Sequence, residues 1–184
     1  MKVLIVYKSK TNFTKSYAEI IAGAAGAALM DAKDVTVERM SEYQIVVFGG
    51  GLYAGMINGL KQAKEMFEAS EAKELVVFAT GGTPNEAETV IEEMWKTNLS
   101  EEELSNVAHY YMQSGICYEK MKLPEKLLMK MMAAVMDKKK EKDELENGFA
   151  QAIKNSYDIS SEVYAEPLIQ YLKNRMEQKC EESI

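Results

Sequence analysis

The stretch Val3-Leu-Ile-Val-Tyr-Lys-Ser-Lys-Thr-Asn-Phe-Thr14 decides the fold, because an apolar strand runs through a polar loop into a helix. The loop carries four uncharged polar side chains: Ser9, Thr11, Asn12 and Thr14. At such a junction free backbone N–H groups meet the positive end of the helix dipole, which favours phosphate. An ordinary turn with a Thr or Asn cap is the alternative, and the stretch alone favours neither. It has neither the Gly-Lys-Ser/Thr ending of a Walker A loop nor the Gly-x-Gly-x-x-Gly pattern of dinucleotide folds.

The composition of the 184-residue chain predicts one globular domain that is large enough to bury a core. A net charge of −7 argues against a general nucleic-acid-binding protein, which usually carries a basic surplus. Cys117 and Cys180 lie far apart without metal-ligand spacing, so reduced thiols are favoured, with a single disulfide as the alternative. The apolar run at Val3 is too short for a signal peptide or a membrane span, which predicts a cytoplasmic protein.

Apolar runs alternate along the chain with segments of helical periodicity, as is typical of a parallel sheet covered by helices on both faces. The predicted strands are Val3–Tyr7, Val35–Arg39, Ile45–Phe48, Leu75–Ala79 and Ala108–Gln113. The predicted helices are Thr14–Met30, Gly59–Ala69, Glu86–Lys96 and Pro167–Lys179. Five strands in this spacing suit a three-layer α/β/α sandwich with a five-stranded parallel sheet of order 2-1-3-4-5.

Three loops rich in glycine or hydroxyl groups follow the predicted first, third and fourth strands. They span Ser9–Thr14, Gly49–Gly55 and Thr80–Pro84. The carboxyl ends of parallel strands share one edge of the sheet, where ligands bind at the switch point of the strand order. We therefore expect the three loops to lie together, and this convergence favours a phosphate site over a capped turn.

These loops carry a resemblance to a known family. The stretch Tyr7-Lys-Ser-Lys-Thr-Asn-Phe-Thr-Lys-Ser-Tyr-Ala-Glu19 resembles the FMN phosphate loop of flavodoxins. The stretches Val47-Phe-Gly-Gly-Gly-Leu-Tyr-Ala-Gly55 and Thr80-Gly-Gly-Thr-Pro84 resemble their second and third flavin loops. Residues 111–130 resemble an insertion in a flavodoxin-domain subgroup related to menaquinone-dependent protoporphyrinogen oxidase. The resemblance implies a single flavodoxin-like domain over residues 1–184, with a Met- and Lys-rich helical insertion at about 115–145.

The same resemblance implies FMN as the cofactor and assigns residues to it. The phosphate would contact Ser9, Lys10, Thr11, Asn12, Phe13 and Thr14. The ring would contact Gly50, Gly51, Leu52, Tyr53, Ala54, Gly55, Thr80, Gly81, Gly82 and Thr83. Asn12 stands where the family has Gly, and Phe13 stands where it has Asn. Gly is favoured there because it adopts a positive φ, and Asn is the next most tolerant residue for that conformation, so the loop geometry can survive the change.

No group of side chains predicts acid–base catalysis or a metal site. His109 lies inside the last predicted strand, where a structural role is favoured over a catalytic one. A flavin carries redox chemistry itself and needs no such group. We therefore expect an FMN-binding carrier that exchanges electrons with a redox partner protein or a quinone. An FMN-dependent oxidoreductase acting on a quinone or a protoporphyrinogen-like substrate is the alternative, and an interaction module that has lost FMN is another.

Residues 120–142 differ in composition from the rest of the chain. They hold eight lysines and three acidic residues, a net charge of +5. Seven apolar residues recur there at helical spacing: Leu123, Leu127, Leu128, Met131, Met132, Val135 and Met136. The favoured interpretation is a helix that packs this stripe on the domain. Docking of a redox partner through a flexible Met face comes second, and contact with a membrane surface comes third.

Overall fold

The computed structural model describes residues 1–139, 148, 150 and 153–181, and within them a parallel sheet forms the centre. Its strands are β1 (Val3–Lys8), β2 (Ala28–Asp31), β3 (Ile45–Tyr53), β5 (Glu74–Gly81) and β6 (Ala108–Gln113). The short strand β4 (Met56–Ile57) pairs with the end of β3 in antiparallel orientation. The parallel strands lie in the order β2-β1-β3-β5-β6, which confirms the predicted topology. A separate two-stranded ribbon joins β7 (Gly115–Ile116) to β8 (Tyr157–Asp158).

Helices cover both faces of this sheet, which makes the described part of the chain an α/β/α sandwich. The helices of the described residues are α1 (Phe13–Ala25), α2 (Val37–Ser41), α3 (Leu60–Glu68), α4 (Glu88–Asn98), α5 (Glu101–Asn106), α6 (Leu123–Lys138) and α7 (Glu166–Glu181). One core cluster joins one sheet face to α2, α3 and α4, and a second joins the other face to α1 and α7. None of the described helices is long and apolar enough to cross a membrane.

Alternation of side chains along the central strands explains why both faces are buried. In β3, Val46 and Phe48 belong to the first cluster, while Ile45 and Val47 belong to the second. Since successive strand residues point to opposite faces, a continuous apolar run buries both. Gly49 extends this strand at a point of close contact, because a Cβ there would lie 2.0 Å from the Phe78 ring.

Two predicted elements of the first half are wrong. The helix predicted over Thr14–Met30 ends at Ala25, because Gly26 adopts a left-handed conformation with φ 61° and closes the last turn. The chain then forms the edge strand β2 at Ala28–Asp31, which overlaps the last residues predicted as helical. The strand predicted at Val35–Arg39 is instead the short helix α2, whose first turn is capped by the Thr36 side chain accepting from the Arg39 N–H.

Helix α6 confirms the helical periodicity of the Met- and Lys-rich segment but corrects the predicted packing. Leu128 and Met136 are half-buried, whereas most of the stripe faces solvent: Leu123, Leu127, Met131, Met132 and Val135 are exposed. The favoured interpretation, in which the whole stripe packs on the domain, is therefore wrong. Residues 140–145 of the predicted insertion lie outside the described residues.

Candidate functional site

The loop between β1 and α1 presents a helix N-terminus without a side-chain cap. Asn12 takes the N-cap position with φ 77° and ψ −15°, and its side chain makes no capping hydrogen bond. The Asn12 N–H instead donates to Ser9 Oγ at 3.1 Å, which closes the loop. The first turn of α1 contains no acidic residue. The positive end of the helix dipole and the first-turn N–H groups are therefore suited to an external anion.

The second loop is a tight hairpin turn at the end of β3. Leu52 pairs with Ile57 and Tyr53 with Met56, so only Ala54 and Gly55 connect the two strands. Their φ values of 50° and 80° give a type I′ turn, the geometry that two-residue hairpins favour. This turn leaves the Tyr53 ring partly exposed beside the sheet edge.

Asn98 holds this hairpin from α4 and was not predicted as a site residue. Its Oδ1 accepts from the Ile57 N–H at 2.7 Å, and its Nδ2 donates to the Gly55 carbonyl at 2.8 Å. The Gly55 carbonyl at the turn thus already accepts one hydrogen bond. A lone Asn near the end of a helix gives no sequence signal for this role.

The third loop is joined to the first by a direct side-chain contact. Thr80 Oγ1 at the end of β5 lies 2.8 Å from Thr14 Oγ1 at the start of α1, and both side chains are buried. The Tyr111 hydroxyl donates to the Thr83 carbonyl at 2.9 Å, and the Tyr157 hydroxyl donates to the Gly82 carbonyl at 3.2 Å. Burial raises the pKa of Tyr111, so this phenol remains a hydrogen-bond donor at neutral pH.

A cavity of about 310 Å³ lies where the three loops meet, within the ~300–1,000 Å³ of small-molecule sites. Thirteen of the sixteen predicted site residues line it: Lys10, Thr11, Phe13, Thr14, Gly51, Leu52, Tyr53, Ala54, Gly55, Thr80, Gly81, Gly82 and Thr83. Ser9, Asn12 and Gly50 do not. Ser9 closes the loop from behind, and Gly50 is paired within β3 between Lys8 and Ala79. Asn12 lines a second cavity of about 430 Å³ behind the loop, together with Ser16, Cys117 and Tyr157.

The far wall of the first cavity is apolar and was not predicted. Helix α4 contributes Val90, Ile91 and Met94, and helix α6 contributes Glu125, Leu128, Met129 and Met132. The remaining lining residues are Lys8, Asn58, Tyr111, Ser114–Cys117 and Met121. The periodic Leu and Met residues of α6 were the available signal, but periodicity does not say which neighbour a helix face meets.

An ion pair fixes α6 against the first loop. Lys10 Nζ lies 2.7 Å from Glu125 Oε1 and 4.4 Å from the centroid of the Tyr53 ring. Glu125 Oε2 accepts from the Lys122 N–H at 2.9 Å. The ammonium of Lys10, followed by the Lys122 N–H, lowers the pKa of Glu125, which is therefore ionised at neutral pH although largely buried. One cation thus links the anion-facing loop, the Tyr53 ring and the far wall.

His109 lies away from this arrangement. Its ring packs against Trp95 with centroids 4.8 Å apart, and its Nδ1 lies 2.8 Å from the Val107 carbonyl. Both contacts are of the kind that a packed structural histidine makes, in line with the role expected for it.

The cavity thus combines an anion-facing helix terminus, bare glycine backbone, one aromatic face and an apolar wall, which suits a phosphorylated planar ring.

One family model and several solved structures are similar to this chain. The family described as a flavodoxin domain matches residues 4–143. A flavodoxin from the domain Archaea is 17% identical with a TM-score of 0.42, covering 84% of this chain and 100% of that chain. Flavodoxin 2 from Bacillus cereus is 17% identical with a TM-score of 0.39, covering 84% and 98%. A flavoprotein in complex with FMN from Lactobacillus acidophilus NCFM is 17% identical with a TM-score of 0.38, covering 61% and 92%.

No curated protein matches the chain. The narrower resemblance to the subgroup related to menaquinone-dependent protoporphyrinogen oxidase finds no support in these comparisons. The match of the flavodoxin domain, in contrast, spans more than half of the sequence and includes all three loops. The chain therefore belongs to the flavodoxin-domain family.

Proposed function

We propose that this protein binds FMN non-covalently in the cavity at the sheet edge and exchanges electrons with a redox partner. The observation that carries the proposal is the meeting of three loops around an uncapped helix N-terminus, in a chain of the flavodoxin-domain family. When bound, the flavin would supply the redox chemistry, and the protein would bind, orient and shield it.

The residues present fit such a cofactor. The first-turn N–H groups of α1 and the Thr11 hydroxyl would bind the phosphate, and the Lys10 ammonium would add charge. The Tyr53 ring would stack on the flavin. Gly81 and Gly82 of the third loop are in close contact with neighbouring side chains, which leaves little room for a Cβ at either position. A Cβ at Gly81 would lie 2.9 Å from Leu52, and one at Gly82 would lie 2.7 Å from the Tyr157 hydroxyl.

The apolar wall favours a second candidate function, an FMN-dependent oxidoreductase. Met94, Leu128 and Met129 face the same cavity as the loops, so an apolar planar substrate such as a quinone or a protoporphyrinogen-like molecule would find contacts there. A carrier that meets only a protein partner does not need this wall. The two functions share the flavin site and differ in what approaches it.

Titration of the purified protein with FMN, followed by quenching of flavin fluorescence, tests the proposal. We expect saturable binding, and we expect riboflavin to bind at least tenfold more weakly because it lacks the phosphate. Tyr53→Ala should weaken FMN binding about tenfold through the loss of stacking, worth about 1 to 1.5 kcal/mol. Absence of binding would refute the proposal and favour an interaction module. Equal affinity for riboflavin would refute the phosphate role of the first loop.

Steady-state kinetics of the flavin-loaded protein separate the two functions. Turnover of a soluble quinone analogue that is lost in Leu128→Glu, with FMN affinity retained, would favour the oxidoreductase. Reduction that proceeds only through a reductase, with no turnover of the quinone, would favour the carrier. Leu127→Glu is the matched control, because Leu127 does not line the cavity and its side chain faces solvent.

A further inference from the structure

Helix α6 presents two apolar edges, and only one of them faces the protein. The inner edge lines the cavity through Leu128, Met129 and Met132. The outer edge consists of four side chains spaced by four residues, so they form one stripe along the helix. These are Leu123, Leu127, Met131 and Val135, with 84%, 60%, 58% and 68% of their surface exposed. Helix α6 is roughly 24 Å long, and the stripe follows most of it.

Lysines outnumber carboxylates around this outer stripe. Lys126, Lys130 and Lys138 lie on α6 itself, and Lys120, Lys122 and Lys139 flank it. Glu125 and Asp137, the two carboxylates on α6 itself, pair with cations from elsewhere in the chain. Glu125 pairs with Lys10, and Asp137 pairs with Lys154 at 2.9 Å. The segment therefore presents an apolar stripe bordered by a positive surplus, on a protein whose net charge is −7.

The mouth of the cavity continues this apolar surface. Tyr53 and Val90 line the cavity and are both exposed. Met56, next to Tyr53 in the β3–β4 hairpin, is exposed as well. The other large apolar side chains that are exposed in the described part of the chain are Met1, Ile159 and Val163. Exposed apolar groups thus concentrate around α6 and the cavity mouth, which marks this side as an interaction surface.

We propose that α6 docks the protein on an anionic lipid surface, with its outer stripe in the interface and its lysines at the headgroups. An interfacial helix of this kind combines an apolar face with a lysine-rich polar face, and attraction to anionic lipids adds to the burial of the stripe. The lysine surplus complements such a surface. Docking in this way would bring the cavity mouth close to the lipid, which goes beyond the proposed binding of FMN.

Two other occupants fit the surface less well. A symmetric pairing of two copies through α6 would place like-charged lysine rows against each other, which opposes association. A protein partner is usually anchored through Trp, Tyr or Arg, and the outer face of α6 carries none of these. Charge complementarity therefore favours lipid.

Co-sedimentation with vesicles tests the proposal. The full-length protein should bind vesicles of phosphatidylcholine mixed with phosphatidylglycerol, bind vesicles of phosphatidylcholine alone at least tenfold more weakly, and be released by salt. Leu127→Gln combined with Met131→Gln should reduce binding at least tenfold, whereas Val163→Gln should have no effect. Lys130→Gln and Lys138→Gln should each reduce binding roughly fivefold. Their controls are Lys33→Gln and Lys61→Gln, on exposed lysines outside this segment.

A tryptophan probe reports which residues enter the lipid. Leu127→Trp should shift its emission to the blue on anionic vesicles, while Val163→Trp should not; the native Trp95 is buried and gives a constant background. No binding to anionic vesicles, or equal binding by the Leu127/Met131 variant, would overturn the proposal. So would a dimer in analytical ultracentrifugation that the same double substitution dissociates, because the stripe would then be covered by a second copy.

Discussion

Asn12 holds the loop between β1 and α1 in a left-handed conformation that other L-residues adopt only with strain. Its side chain makes no capping hydrogen bond, so a substitution would mainly change how well this position tolerates a positive φ.

We predict that Asn12→Ala lowers the free energy of unfolding by about 1 kcal/mol, whereas Asn12→Gly changes this free energy by less than about 0.5 kcal/mol. FMN affinity should fall in the Ala variant, whereas the Gly variant should bind FMN at least as tightly as the wild type. Urea unfolding and FMN titration measure both; an Ala variant equal to wild type would contradict the account.

The hydroxyl pair of Thr14 and Thr80 is a second residue-scale feature, because it joins two of the three loops inside the core. Replacing either residue by Val keeps its shape and leaves the other hydroxyl buried without its partner, which costs about 1 to 2 kcal/mol. The double variant should lose less than the sum of the single ones, with a coupling of about 1 kcal/mol. Additive losses in urea unfolding would show that the 2.8 Å contact contributes nothing by itself.

At the scale of elements, buried central strands were predictable and the edge strand was not. β1, β3 and β5 each contain at least four consecutive apolar residues, a pattern that is readable without knowing the neighbours. β2 is a half-buried edge strand whose sequence, Ala28-Leu-Met-Asp31, continues the apolar spacing of α1. What separates the two elements is the left-handed Gly26, and a single glycine also occurs inside helices, as Gly23 does here.

The attachment of α6 depends on pH through Glu125. Lys10 lowers the pKa of this carboxyl, so the ion pair stabilises the attachment of α6 fully at pH values above the ordinary glutamate pKa of about 4.3. This stabilisation is lost as the pH falls through the lowered pKa. We predict that hydrogen-exchange protection of 123–138 is constant from pH 7 to pH 5 and falls in more acidic solution. Glu125→Gln should reduce this protection roughly fivefold at pH 7, corresponding to about 1 kcal/mol for a partly exposed pair.

The control for this prediction is Glu93→Gln, which removes an exposed partner of Lys96 on α4. Protection of α6 should not change in that variant. If Glu125→Gln also left the protection of α6 unchanged at neutral pH, the ion pair with Lys10 would not be needed to hold the helix, and the expected pH dependence would be absent.

At the scale of the whole molecule, the loops of the site were predictable and its far wall was not. The loops follow from local sequence, since each lies at the end of a readable strand and strand order places them together. The far wall requires α6 to return to the first loop, and the contact that secures it joins residues 115 positions apart. Amphipathicity identified the helix, but a helix with apolar residues on both edges does not reveal which edge faces inward.

The two-sided core also predicts how differently two leucines on two helices contribute to stability. Leu172 on α7 is fully buried against the sheet face that α1 covers, whereas Leu127 on α6 is largely exposed. Leu172→Ala should lower the free energy of unfolding by about 2 to 5 kcal/mol, because the cavity it leaves adds to the lost burial. Leu127→Ala, the matched change in another helix, should change the free energy of unfolding by less than about 0.5 kcal/mol. Urea unfolding with an unchanged m-value measures both. A large loss at Leu127 would mean that the outer face of α6 is buried in the isolated protein, and the surface proposed to meet lipid would not be available.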